Sequence, residues 1–204
     1  IEACLVGSEM CIRDSYNLIS IMALTYSEML QLDFGLFDFE LINVVDNQNF
    51  SISNIDDKKP SLIMFICNHC PYVIHYHDQL IKLDNDYSHL LNLVAISSND
   101  IVNYPEDSPD KMKDLWRELG LSFPYLYDET QDVAKKFKAA CTPEFYLFSS
   151  KKRLVYRGRM DDSSPKSVNA ASANELRAAI DNIIAGKDIS SEQYPSMGCN
   201  IKWK

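Results

Sequence analysis

The chain has 204 residues, 46% of them hydrophobic, and a formal net charge of −9. That length and apolar content suffice for one domain with a real core. The acidic balance argues against a nucleic-acid partner, because phosphate binding needs a basic surface. No apolar run is long enough to span a bilayer. Six cysteines are too few, and too unevenly placed, for a disulfide-stapled secreted scaffold. A cytoplasmic location is the expectation.

Residues 1–15 fit nothing that follows, and the string Val6-Gly-Ser-Glu-Met-Cys-Ile-Arg-Asp-Ser15 resembles a translated adapter. Residues 16–21 read as translated upstream sequence, so 1–21, with Cys4 and Cys11, is expected to be a non-native extension. Met22 then reads as the natural start of a single domain, 22–204, with a tail from 187 to 204. Residues 37–42 alternate apolar and polar as a half-buried strand does, and 50–55 read as its return strand. Residues 61–66, Ser-Leu-Ile-Met-Phe-Ile, form a short apolar run bounded by a polar loop, the pattern of a buried strand. The run ends in Cys67-Asn-His-Cys70, and Pro71 follows. From Pro71 onward Val73, Ile74, Leu80, Ile81 and Leu83 recur at helical spacing, and proline suits a first helical turn.

After that helix come a strand over 91–96, a polar loop over 97–109 and a helix to about 119. That helix has Ser108 as its cap, Pro109 at its first position and Gly120 past its end. Residues 123–127 read as a strand, and Asp128 or Thr130 caps a helix to about 139. A hairpin joins strands at 145–148 and 154–157, and 172–185 is a helix ended by Gly186. The tail has no clear period. Alternation of this kind builds an α/β domain, a mixed sheet with helices on both faces.

The C-x-x-C pair therefore sits where a strand hands over to a helix N-terminus. Amide N–H groups and the helix dipole favour a thiolate there, and the spacing allows a disulfide. A redox dithiol is the leading reading. A metal site through Cys67, His69 and Cys70 and a pair of inert buried thiols are the alternatives. His75, His77 and His89 read as ordinary helix residues.

Cys67-Asn-His-Cys70 at a strand end, with Cys141-Thr142-Pro143 opening a later strand, resembles the thioredoxin fold. The chain is more narrowly similar to the peroxiredoxin-like group of thioredoxin-fold redoxins, the alkyl hydroperoxide reductase/thiol-specific antioxidant superfamily, and to bacterial thioredoxin family proteins within it. Met64-Phe-Ile-Cys-Asn-His-Cys-Pro-Tyr-Val73, Tyr104-Pro-Glu-Asp-Ser-Pro109, Ala140-Cys-Thr-Pro-Glu144 and Gly198-Cys-Asn-Ile-Lys-Trp-Lys204 carry the resemblance.

The resemblance implies a thioredoxin-like fold and thiol–disulfide exchange without a cofactor. Cys67, at the exposed mouth of the helix, would attack a disulfide-bearing protein or small molecule with a depressed pKa, and Cys70 would resolve the mixed disulfide. Asn68, His69 and Pro71 would support the pair. Pro143 would be a cis-proline beside it, with Cys141 and Thr142 adjacent. A thioredoxin- or glutathione-type reductant would close the cycle. A hydroperoxide-reducing alternative runs through Cys70, with Cys67 or Cys199 as resolver. The peroxiredoxin pattern places a proline at position 63, a threonine at 67 and an arginine near 143, where this chain has Ile63, Cys67 and Pro143. Cys199 is a candidate resolving residue, or a tail thiol that only packs.

Overall fold

The computed structural model describes residues 24–204. The expectations for 1–21, including Cys4, Cys11 and the start at Met22, lie outside the described residues. The strands are β1 (Leu24–Tyr26), β2 (Glu40–Asn43), β3 (Gln48–Ser51), β4 (Ser61–Phe65), β5 (Asn92–Ser97), β6 (Tyr125–Tyr127), β7 (Cys141–Thr142), β8 (Glu144–Phe148), β9 (Leu154–Gly158) and β10 (Met197–Asn200). The helices are α1 (Pro71–His75), α2 (His77–Tyr87), α3 (Pro109–Glu118), α4 (Asp132–Phe137) and α5 (Asn174–Ile184).

Seven strands form one sheet in the order β3-β2-β6-β5-β4-β8-β9. The pairs β4–β5 and β5–β6 are parallel, as their helical crossovers require, and the hairpins β2–β3 and β8–β9 are antiparallel. The central strand β4 is buried on both faces. Alternation splits its side chains: Leu62 and Met64 face one core, and Ile63 and Phe65 the other. A strand covered on both sides has no polar face to show, which is why 61–66 reads as an unbroken apolar run.

On the Ile63 side, Phe137 of α4 is the centre. Its ring lies 4.9 Å from Phe37, 5.1 Å from Tyr146, 5.3 Å from Phe65 and 6.1 Å from Phe148. Offset and edge-on aromatic pairs at these separations add to the burial term. On the Leu62 side, α2 and α5 pack through Leu80, Leu83, Leu176, Ala179 and Ile180. Asp161 ties this layer together. Its carboxylate accepts from Tyr76 Oη at 2.8 Å and from the Ser172 and Ala173 amides at 2.6 and 2.7 Å, just before α5.

Three details differ from expectation. The motif helix breaks at Tyr76 into α1 and α2. Asp128 serves α4 without being its cap: its carboxylate accepts from the Ala134 amide at 2.9 Å, while Gln131, at φ 65°, holds the cap position. The largest difference is the tail. Residues 197–200 form β10, which lies between β1 and β7 in a second, three-stranded sheet. No periodicity announces a strand this short, and its register is fixed by partners far away in sequence, Leu24↔Cys199 and Cys199↔Thr142.

Candidate active site

The site forms where four segments meet: the end of β4, the first turn of α1, the β7–β8 junction and β10. Cys67 follows β4, Cys70 is the N-cap of α1 and Pro71 its first residue. The missing N–H of Pro71 costs nothing there. The Thr142–Pro143 peptide bond is cis. Thr142 faces both thiols: Cys67 Sγ lies 3.3 Å from Thr142 Oγ1, and Cys70 Sγ 3.2 Å from the Thr142 carbonyl oxygen. All four described cysteines, Cys67, Cys70, Cys141 and Cys199, are free thiols.

The expectation of an exposed Cys67 with a depressed pKa is overturned. Cys67 is 1% exposed and Cys70 0%. The Cys67 thiol is pushed well above the ordinary range, first because it donates to Cys70, then by burial and by the negative charge of Asp107. Cys70 is held far below that range. It accepts first from Cys199 and then from Cys67, with help from Thr142 and the Val73 amide in the opening turn of α1, against an opposing cost of burial. Helix N-terminus logic therefore applies to the second cysteine of the motif, the one at the N-cap, rather than the first. Cys199 is pushed up as the donor to Cys70.

Asp107 was missed by sequence reasoning. It is a fully buried carboxylate in the loop between β5 and α3, with 0% exposure. Its Oδ1 accepts from the backbone amides of Asn68 at 2.7 Å and His69 at 3.3 Å. Its Oδ2 accepts from Asn99 Nδ2 at 2.7 Å and meets His69 Nδ1 at 2.6 Å. The residues between the two cysteines are thus pinned from outside the motif. Asn68 adds a hydrogen bond from Nδ2 to the Glu106 carbonyl at 3.0 Å and accepts from Tyr125 Oη at 3.3 Å. The His69 ring stacks on Tyr104 at 5.5 Å and 8°. Contact with Asp107 raises the His69 pKa, against burial and the charge of Lys202. The only trace in the sequence is the string Tyr104-Pro-Glu-Asp-Ser-Pro109, which marks a loop but not a buried acid.

Cys141 sits near the pair in sequence terms, yet its sulfur engages Glu144 Oε2 and the Ser196 carbonyl, each at 3.8 Å. Burial, then the charge of Glu144, pushes its thiol up. Of the other histidines, His75 Nε2 is 2.8 Å from Ser163 Oγ.

Cys67, His69 and Asp107 each present a ligating atom, all within 4.8 Å of one another. This differs from the set Cys67, His69 and Cys70 expected for a metal. Two ligands of a tetrahedral zinc lie roughly 3.3 Å apart given bond lengths near 2.0–2.1 Å. The His69–Asp107 contact at 2.6 Å is too short for both atoms to serve one ion without opening, and the pair already satisfies itself electrostatically.

The family model for Redoxin matches residues 36–174. No curated protein matches the chain. An uncharacterized conserved protein from Geobacillus kaustophilus is 46% identical, with a TM-score of 0.87, covering 90% of this chain and 97% of that one. A hypothetical protein from Sinorhizobium meliloti 1021 is 39% identical, with a TM-score of 0.85, covering 88% and 98%. The thioredoxin domain of a thiol-disulfide oxidoreductase from Bacteroides vulgatus shares the fold at 13% identity, with a TM-score of 0.56, covering 73% and 97%. Among the described residues no helix is long and apolar enough to cross a membrane. The chain belongs to the Redoxin family and has a thioredoxin-like α/β fold.

Proposed function

We propose that this protein is a thiol–disulfide oxidoreductase that cycles Cys67 and Cys70 between dithiol and disulfide. The observation that supports the reading is geometric: two free thiols at a strand-to-helix junction both face Thr142, immediately before the cis bond to Pro143. The surrounding groups favour the charge on Cys70 and the proton on Cys67. Transfer of the proton across the contact leaves Cys67 as the thiolate. Cys67 then attacks a sulfur of the substrate disulfide, and the other substrate sulfur leaves as a thiolate and is protonated. Cys70, once deprotonated, attacks Cys67 of the mixed disulfide, releasing the second substrate thiol and leaving Cys67–Cys70 oxidised. A thiol reductant of the thioredoxin or glutathione type would reverse these steps.

Cys67 is the better contact point for a substrate because Cys70 lies deeper in the site. Cys70 is enclosed by Cys67, Thr142 and Cys199. The test is trapping with a model aromatic disulfide. Cys70→Ser should accumulate a mixed disulfide on Cys67, and Cys67→Ser should turn over far more slowly than wild type. Turnover of Cys67→Ser at the wild-type rate would sink the assignment.

A second reading is kept because Cys70 is the favoured thiolate: reduction of a hydroperoxide at Cys70, giving a sulfenic acid that Cys67 or Cys199 condenses with. Peroxide consumption coupled to a thiol donor separates the two. Rapid consumption that survives in Cys67→Ser would favour the peroxidase.

A further inference from the structure

Cys199 reaches the site from the other end of the described chain. Its strand, β10, pairs antiparallel with β7 in the register Cys199↔Thr142 and Asn200↔Cys141. Thr142 is the residue that faces both motif thiols. Gly198 makes the approach close: a Cβ there would lie 2.0 Å from the Thr142 carbonyl oxygen. The opposite edge of β10 is held by β1, with Leu24↔Cys199 and Tyr26↔Met197. Beyond it, Ile201 is buried and Lys202 accepts, through its carbonyl, from the Asp100 amide at 2.8 Å and from Gln131 Nε2 at 2.8 Å. The strand is therefore clamped on both edges and at its C-terminal end. Cys199 itself is 4% exposed and shares one apolar cluster with Cys67 and Cys70.

Resting on the dithiol reading, we infer that Cys199 is a third redox residue, which exchanges with the Cys67–Cys70 disulfide to form a Cys70–Cys199 disulfide. Cys70 is the common neighbour of both partners, so one sulfur serves two alternative bonds. In the step the Cys199 thiolate attacks Cys70 Sγ, the Cys67–Cys70 bond breaks and the Cys70–Cys199 bond forms. Cys67 leaves as a thiolate and takes up the proton that Cys199 gave up. One disulfide is lost and one gained, so no external oxidant or reductant is consumed. The oxidised protein then holds its two-electron oxidation in either of two places, and in the second Cys67 is a free thiol while the protein is oxidised. The motif thiol pair and the tail strand become parts of one exchange system, which gives β10 a chemical role beyond closing the second sheet.

The test is disulfide mapping. The reduced full chain is oxidised with diamide, which is reduced to its hydrazine as two thiols become one disulfide. It is then quenched in acid, alkylated and digested for mass spectrometry. In wild type we expect both the Cys67–Cys70 peptide pair and a Cys70–Cys199 pair with Cys67 alkylated. In Cys67→Ser we expect Cys70–Cys199 as the main product, and Cys67→Ser combined with Cys199→Ser should lose it. If wild type gives Cys67–Cys70 alone and Cys67→Ser leaves Cys199 alkylated, the inference is overturned while the dithiol reading stands. If wild type gives no Cys67–Cys70 bond but Cys70–Cys199 forms, the dithiol reading fails and the contact of Cys199 with Cys70 survives. Substitution of Cys141 by Ser should leave the pattern unchanged, since its thiol faces Glu144 and Ser196; disappearance of the Cys70–Cys199 product there would overturn the inference as well.

Discussion

Replacing Asp107 by Asn tests whether a buried carboxylate holds the motif loop. The side chain keeps its shape, and its retained oxygen still accepts from the Asn68 and His69 amides. The second oxygen becomes an NH2 that faces Asn99 Nδ2. Asn99 cannot flip to relieve the conflict, because its Oδ1 accepts from the Lys202 amide at 2.8 Å. That leaves one buried donor unsatisfied, a loss of about 1–3 kcal/mol. His69 adds a pH-dependent part. Its pKa is raised in the folded state by Asp107, so its stabilisation is fully present below the unfolded value of about 6.5 and is lost as pH rises through the higher folded value. At pH 5.5 the substitution also breaks a charged, largely buried pair, and the deficit should approach about 3–5 kcal/mol. Toward pH 8.5 the deficit should shrink toward the smaller figure, because the charged pair is lost as pH rises through the raised His69 value. Urea unfolding of both proteins at the two pH values measures this. An equal deficit at both, or a larger one at pH 8.5, would refute the account of the His69–Asp107 pair.

Gly198→Ala should disrupt β10, because a Cβ 2.0 Å from the Thr142 carbonyl oxygen cannot be relieved by a rotamer change. Cys199 should then alkylate much faster than in wild type, and an unchanged rate would count against the close packing. Phe137→Ala removes the centre of the aromatic cluster and should cost about 3–5 kcal/mol in urea unfolding. Glu144 is buried and its pKa is pushed up to about 7, by burial first. A carboxyl raised in the folded state loses stability as pH rises from its unfolded value through its folded one. Unfolding midpoints should therefore fall with a component between about pH 4.5 and 7, and Glu144→Gln should flatten that component. Removing residues after Gly198 should unfold or strongly destabilise the protein, since it deletes half of β10 and the buried Ile201, a loss of about 2–5 kcal/mol for that side chain alone; melting by circular dichroism measures it. The point variant Cys199→Ser is therefore the informative one for the role of the tail thiol.

Much of the fold is legible because local rules and tertiary needs agree. The apolar run at 61–66 is a strand for the same reason it is buried on both faces. Pro71 and Ser108-Pro109 mark helix starts that the structure has at Pro71 and Pro109, and Gly120, at φ +64°, ends α3 where a left-handed residue is needed. The failures are non-local. The strand β1 has 3 residues and β10 has 4; β1 exists because β10 is beside it, and β10 because β1 and β7 flank it. Their residues carry no period long enough to read.

The candidate site divides in the same way. The cysteine spacing, the strand-to-helix junction and the Thr142–Pro143 element are local patterns and can be read directly. The charge distribution is not local. A helix N-terminus favours a thiolate, but which cysteine receives the benefit depends on which sulfur sits at the cap and which donors surround it. Here Cys70 is the N-cap, and it takes donors from Cys199, more than a hundred residues away, and from Cys67. Cys67 instead feels the charge of Asp107, a residue brought in by a loop whose composition signals only a turn. An acid in such a loop is ordinarily solvated. Asp107 is buried because four donors from two segments, the motif loop and the stretch after β5, converge on it, and a convergence of that kind compensates the desolvation of a carboxylate. The reversal of the expected thiolate thus follows from two long-range contacts, Cys70 with Cys199 and Asp107 with the motif loop. Substitutions at Asp107 and Cys199 should move the charge between the two motif thiols in the same sense, toward Cys67: loss of the Asp107 charge favours a Cys67 thiolate, and loss of the Cys199 donor disfavours a Cys70 thiolate.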